Sequence, residues 1–186
     1  MGYKVILAEK PSVARSIAQV VGATAKCDGY FEGNGYQVTW AYGHLVTLCD
    51  TEDYDAKYSK WKKSDLPIFP EVFKYKVLKD GEDQFKIVKK LFCDADEIIC
   101  ATDAGREGEA IFRNIYYHTK TKKPFKRLWI SALVDKEIKR GMSDLRDGSE
   151  VQIASSTYNF EPTWKEYQFV GWSTKIDDER YLVDKT

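Results

Sequence analysis

Apolar residues follow two rhythms along this chain: short unbroken runs alternate with longer stretches in which apolar positions recur every three or four residues. "YKVILA" (3–8) is a continuous apolar run of the kind a strand buried on both faces requires. "EKP" breaks the run. "SVARSIAQVVG" follows with Val13, Ile17 and Val20 at helical spacing, Ser12 placed to cap the start and Gly22 to stop it. "YFEGNGYQVTWAYGHLV" predicts two strands joined through Gly33, Asn34 and Gly35. "EDQFKIVKKLFCDA" is amphipathic, with Phe85, Val88 and Phe92 on one face. "DEIICAT" predicts a second buried strand, "EGEAIFRNIYYHT" a helix after it, and "FKRLWIS" with "DKEIKRG" a further strand–helix pair. Strands alternating with helices predict an α/β fold: a central, mostly parallel sheet flanked by helices.

Two segments stand outside that alternation. "DTEDYDAKYSKWKKSDLPIFP" (50–70) is polar, aromatic and proline-punctuated, and reads as an ordered surface excursion because Tyr54, Tyr58 and Trp61 need packing. After Asp147 the text becomes rich in Tyr, Trp, Thr and Val with little helical period. The predicted organisation is therefore one domain over 1–147 and an aromatic-rich tail over 148–186, β in character or the opening of another domain.

Composition narrows the class. A 43% hydrophobic content supports a core, and a 14% aromatic share argues against disorder. Basic and acidic residues balance at 29 each, so no global basic signature marks a nucleic-acid binder. The balance is uneven, however: 1–147 carries 25 basic against 22 acidic residues, and 148–186 carries four against seven. Four scattered cysteines without a CxxC pair, and only two histidines, speak against a zinc site and for reduced thiols. With no apolar stretch near the length of a membrane span and no signal-peptide pattern, the expectation is a soluble cytoplasmic protein with no membrane partner.

The chemistry gathers at strand ends. "CATDAGREGEAIF" (100–112) sets an apolar run against Asp103, Arg106, Glu107 and Glu109, while the strand at 3–8 ends on Glu9 and Lys10. Ligands of open parallel sheets bind at the carboxyl ends of strands. If those two strands are neighbours, Glu9, Asp103 and Glu107 can converge on one crevice. Clustered carboxylates repel unless a cation joins them, and hard oxygen donors suit Mg²⁺ or Mn²⁺. Arg106 in the same loop is fitted for bidentate phosphate contact. The same letters also suit the polar start of a surface helix, whose dipole favours acids.

"ATDAGREGEAIFR" resembles the acidic signature of the Toprim domain of type IA DNA topoisomerases. "VILAEKPSVARSIAQVVG", "VTWAYGHLVTLCDTEDYDAKYSKWKKSDLPIFP" and "KRLWISAL" are similar, in the same order, to the topoisomerase III-like branch of that family, and the likeness covers about 3–145. The resemblance implies a Toprim (Rossmann-like) fold and a set of roles. Glu9 matches a glutamate of proton transfer and of the metal environment, and Lys10 a lysine near the scissile phosphate. Asp103 and Glu107 match the outer acids of the DxDxE metal motif, and Arg106 the arginine inside it that meets the DNA backbone. Ser12, Arg15 and His44 fall in matching segments and are candidates for DNA contact, whereas His118 reads as structural. The implied partners are Mg²⁺, single-stranded or underwound DNA, and the remaining topoisomerase domains.

Two departures qualify the match. The middle acid of DxDxE is Gly105 here, which predicts a weaker, water-rich site for a single Mg²⁺ and leaves water or Glu109 to fill its place. Enzymes of this type cut DNA through a tyrosine in a later domain, and none of the twelve tyrosines lies in a segment resembling that motif. Relaxation of DNA by this chain alone is not expected. A stand-alone Toprim nuclease or primase-like enzyme and a non-catalytic DNA- or partner-binding remnant are the alternative readings.

Overall fold

A computed structural model of the chain describes residues 2–60 and 62–148. The chain divides into two units, Met1–Ile153 and Ala154–Thr186. The second lies outside the described residues, as do Trp61 and all of the expected β-rich tail after Gly148.

The strands are β1 (Lys4–Ala8), β2 (Ala25–Cys27), β3 (Tyr30–Gly33), β4 (Tyr36–Trp40), β5 (Val46–Leu48), β6 (Tyr75–Val77), β7 (Glu97–Ala101), β8 (Phe125–Arg127) and β9 (Arg146–Asp147). The helices are α1 (Pro11–Val21), α2 (Glu82–Asp94), α3 (Arg106–Thr119) and α4 (Asp135–Ser143). Seven strands form one sheet in the order β2-β3-β4-β1-β7-β8-β9, and β5 and β6 pair separately. The central pairings β4–β1, β1–β7 and β7–β8 are parallel, and the outer ones are antiparallel. This is the α/β architecture that the alternating runs predict.

The unbroken apolar runs are explained by burial on both faces. Val5 and Leu7 of β1, with Ile98 and Cys100 of β7, pack beside Phe85, Val88 and Phe92 of α2 and Ile111, Phe112 and Ile115 of α3. Ile6 and Ala8, with Ile99 and Ala101, face Ala14, Ile17 and Ala18 of α1 and Ile138 of α4. Helices thus cover both sides of the strands that carry the acids. His118 of α3 is half-buried, its ring edge-on to Phe85 with centroids 5.4 Å apart.

Local chemistry sets the joints. Asn34 and Gly35, both with positive φ (49° and 78°), make the two-residue β3–β4 turn, a conformation these residues accept at low cost. Gly22 ends α1 in the left-handed conformation, as its position predicts. Ser12 does not cap that helix. Lys10 occupies the cap position without a side-chain bond, Pro11 takes the first helical position, and Ser12 lies inside the first turn. The excursion at 50–70 is built of 3₁₀ turns, with the Tyr54 hydroxyl accepting from the Lys74 N–H at 2.7 Å.

At the opposite end of the sheet, Glu97 of β7 is clamped between Lys4 of β1 (3.3 Å) and Lys126 of β8 (2.9 Å). Burial raises its carboxyl pKa, but the two ammonium groups outweigh this and hold it below the usual range. A depressed carboxylate contributes stability above its unfolded pKa and loses it as pH falls through the folded value. Glu97→Gln should therefore lower stability by about 1 kcal/mol at most near neutral pH. Urea unfolding should show that difference fading below the carboxylate range, and a pH-independent difference would contradict the assignment.

Candidate active site

Parallel pairing sets the strand ends level. Ala8 at the end of β1 lies opposite Trp40 of β4 on one side and Ala101 of β7 on the other. Glu9, the next residue of the central strand, is therefore flanked by the segments leaving β4 and β7. The first of these carries Tyr42, Gly43 and His44; the second carries Asp103 and leads into α3 with Arg106 and Glu107.

One hydrogen bond spans the end of β1. His44 Nε2 lies 3.0 Å from Glu107 Oε1, joining the segment after β4 to the first turn of α3. An ionised carboxylate can only accept, so the imidazole donates from Nε2. Beneath this bridge the Gly43 N–H donates to the Glu9 carbonyl at 3.2 Å, and the Ala41 N–H to the Ala8 carbonyl at 3.0 Å. The Glu9 side chain is largely sheltered, at 13% exposed, with Lys10 Nζ 3.8 Å from its Oε1. Asp103, Arg106 and Glu107 are exposed.

The structure therefore pairs His44 with Glu107 and Lys10 with Glu9 at the carboxyl ends of the neighbouring strands, and Asp103 and Arg106 lie on the segment that leaves β7 at the same level. Ser12 and Arg15 are exposed on α1, and no hydrogen bond or ion pair among the described residues joins them to the acids. Among the described residues no three His, Cys, Asp or Glu side chains gather closely enough to hold a cation. Glu107 turns to His44 and Glu9 to Lys10. The donor chemistry nonetheless fits Mg²⁺, which takes one or two carboxylates and completes its shell with water and phosphate oxygens.

Glu109 does not supply the acid missing at Gly105. It is buried and faces inward, 2.7 Å from Arg113 Nε and 3.6 Å from Arg127 Nη1. Arg127, fully buried at the end of β8, is the residue that sequence reasoning passed over. Its Nη1 donates to Thr102 Oγ1 at 2.9 Å and to Cys100 Sγ, and its Nη2 donates to the Asp103 carbonyl. Burial pushes the Cys100 thiol pKa up, against the pull of the guanidinium, so it remains a neutral partner. The only signal in the sequence was a pair of basic residues, Lys126 and Arg127, in a predicted strand.

Residues 4–133 match the family model of the Toprim domain. The chain belongs to the Toprim domain family. It is 51% identical over 168 residues to the DNA topoisomerase 3 of Bacillus cereus, covering 88% of this chain and 23% of that protein. To the DNA topoisomerase 3 of Bacillus subtilis it is 49% identical over 154 residues, covering 82% and 21%. The full-length topoisomerase I of Thermotoga maritima shares the fold, with a TM-score of 0.51 and 23% identity over 77% of this chain and 21% of that one. This Toprim chain spans less than a quarter of the length of those topoisomerase 3 relatives.

The two glycines of the Toprim acid loop are not equivalent. A Cβ at Gly108 would stand 2.3 Å from the Asp103 carbonyl oxygen, because the first turn of α3 presses on the loop and Thr102 Oγ1 donates to the Gly108 carbonyl at 2.7 Å. A Cβ at Gly105 would meet nothing within 4 Å. Gly108→Ala should destabilise by about 1–3 kcal/mol through this backbone overlap. Gly105→Ala should stay within about 0.5 kcal/mol of the parent, as ordinary surface changes do. Chemical unfolding of the two variants measures the contrast, and equal stabilities would refute it.

Proposed function

We propose that the chain is the Toprim part of a type IA DNA topoisomerase of the topoisomerase III-like branch. In that role it binds Mg²⁺ and the scissile DNA phosphate for single-strand breakage and rejoining. The observation that carries the reading is the His44–Glu107 bond, which joins the segments leaving the two strands that flank β1, the strand that ends at Glu9. About half the residues are identical to DNA topoisomerase 3 over most of the chain, which supports the same reading.

The chemistry follows from the positions. Attack of a tyrosine oxygen on phosphorus, from a domain outside residues 1–186, joins the 5′ phosphate to the tyrosine and releases a 3′ oxygen. That oxygen must gain a proton on cleavage and lose it on rejoining. Glu9, the sheltered acid at the strand end, is the group suited to carry it. Lys10 and Arg106 place positive charge on the phosphodiester, Arg106 in bidentate fashion. His44 orients Glu107 and meets DNA, and Ser12 and Arg15 extend the contact along the exposed side of α1. Glu9, Asp103 and Glu107 are the residues that would hold Mg²⁺, or Mn²⁺ in its place. When bound, the cation supplies charge neutralisation at the phosphate. The remaining topoisomerase domains and single-stranded or underwound cytoplasmic DNA are the partners.

Two measurements test this. The open space at Gly105 admits an acid, so Gly105→Asp should tighten Mg²⁺ binding in calorimetric titration and Glu107→Gln should weaken it, each by several-fold. Unchanged titrations would remove the metal site. Incubated with single-stranded DNA and Mg²⁺, the chain should support strand passage only when a tyrosine-bearing domain is supplied. Cutting by the chain alone would replace this reading with a Toprim nuclease.

A further inference from the structure

Tyr42 has no part in the roles assigned so far. It follows the end of β4 by two residues with φ of 53°, in the left-handed region that bulky side chains rarely adopt. Its backbone is pinned on both sides, since Ala41 N–H bonds the Ala8 carbonyl and Gly43 N–H bonds the Glu9 carbonyl. The residue is 61% exposed. Trp40 holds the ring edge-on, with centroids 6.1 Å apart and planes at 82°. Tyr42 and His44 line the same cleft, of about 810 Å³.

Packing does not account for this residue. A ring retained for the core would be buried, and a backbone in this conformation would favour glycine. Backbone strain persists only where the surroundings over-determine it, and it gathers at functional sites. Here the surroundings are the two hydrogen bonds to the central strand, and the outcome is a flat, half-wet aromatic face two residues from His44.

We propose that Tyr42 is a stacking platform for a nucleobase of single-stranded DNA, seating the base next to the phosphate held at Glu9, Lys10 and Arg106. This inference rests on the functional reading above. Stacking on an aromatic face is open to any base, so the platform secures the strand without selecting sequence. Lys10 and Arg106 grip the phosphodiester; Tyr42 adds a contact that a bare sugar-phosphate chain cannot use.

The test is fluorescence anisotropy on the full chain with Mg²⁺, using a short labelled oligothymidylate and an abasic oligomer of equal length. Tyr42→Ala and Tyr42→Gly should bind the oligothymidylate about tenfold more weakly, and Tyr42→Phe should match the parent. All four proteins should bind the abasic oligomer equally. Tyr42→Gly, which removes the strain, should melt no lower than the parent, separating lost stacking from lost folding. If the parent binds oligothymidylate and Tyr42→Ala and Tyr42→Gly bind it as tightly, the platform is overturned and the functional reading stands. Equal loss on both oligomers also overturns it, because the residue then acts through the fold. If the parent binds neither oligomer, both the platform and the functional reading fall.

Discussion

The parallel register of β1 with β4 and β7 is the constraint on which the site depends. Because Ala8 is level with Trp40 and Ala101, three strands release their chains at the same height, and each release carries polar residues. A slip of one residue would turn Glu9 from the mouth into a helix-covered face, since side chains alternate between two buried sides. The two apolar layers that cover those faces hold the register, with Val5 and Leu7 committed to one and Ile6 and Ala8 to the other. Core packing, more than any polar contact, therefore sets the spacing of the acids.

Polar contacts set the loop. Asp103 leaves β7 over a buried guanidinium, and its carbonyl accepts from both Gly105 N–H and Arg127. Burying Arg127 requires a compensating charge, which Glu109 provides with Arg113 at its other oxygen. Thr102 links the same network to the carbonyl of Gly108, so the loop and the first turn of α3 are one unit. The exposed acids stand on this buried scaffold without belonging to it.

Much of this was legible in the sequence, for a physical reason. Runs such as "VILA" and "IICA" are apolar at every position because both faces are covered, and that pattern survives without knowledge of the partners. The helix faces were legible less finely. α1 buries Ala14, Ile17, Ala18 and Val21, whereas the spacing of large residues pointed to Val13, Ile17 and Val20. Where a helix lies close to a sheet, alanine fills the gap and the bulkier valines sit at the rim. Ser12 misled because its side chain suits a cap, but Pro11 had already fixed the first helical position. The β5–β6 pair and the inward turn of Glu109 could not be read locally, since each depends on a partner 29 or 18 residues away. The hydrogen bond between His44 and Glu107 joins residues more distant still, and only the sheet order reveals it.

Glu107 and Glu109 are two residues apart on one helix, and the structure gives them separate tasks. Glu109 is locked to two arginines inside the molecule, while Glu107 stands 79% exposed with one imidazole for company. Changes at 103, 105 or 107 alter the exposed surface with little consequence for folding, whereas changes at 109 or 127 reach the interior. Such a loop can exchange one set of exposed letters for another while the chain keeps the same shape, and a glycine in the middle of an acid motif becomes an affordable spelling.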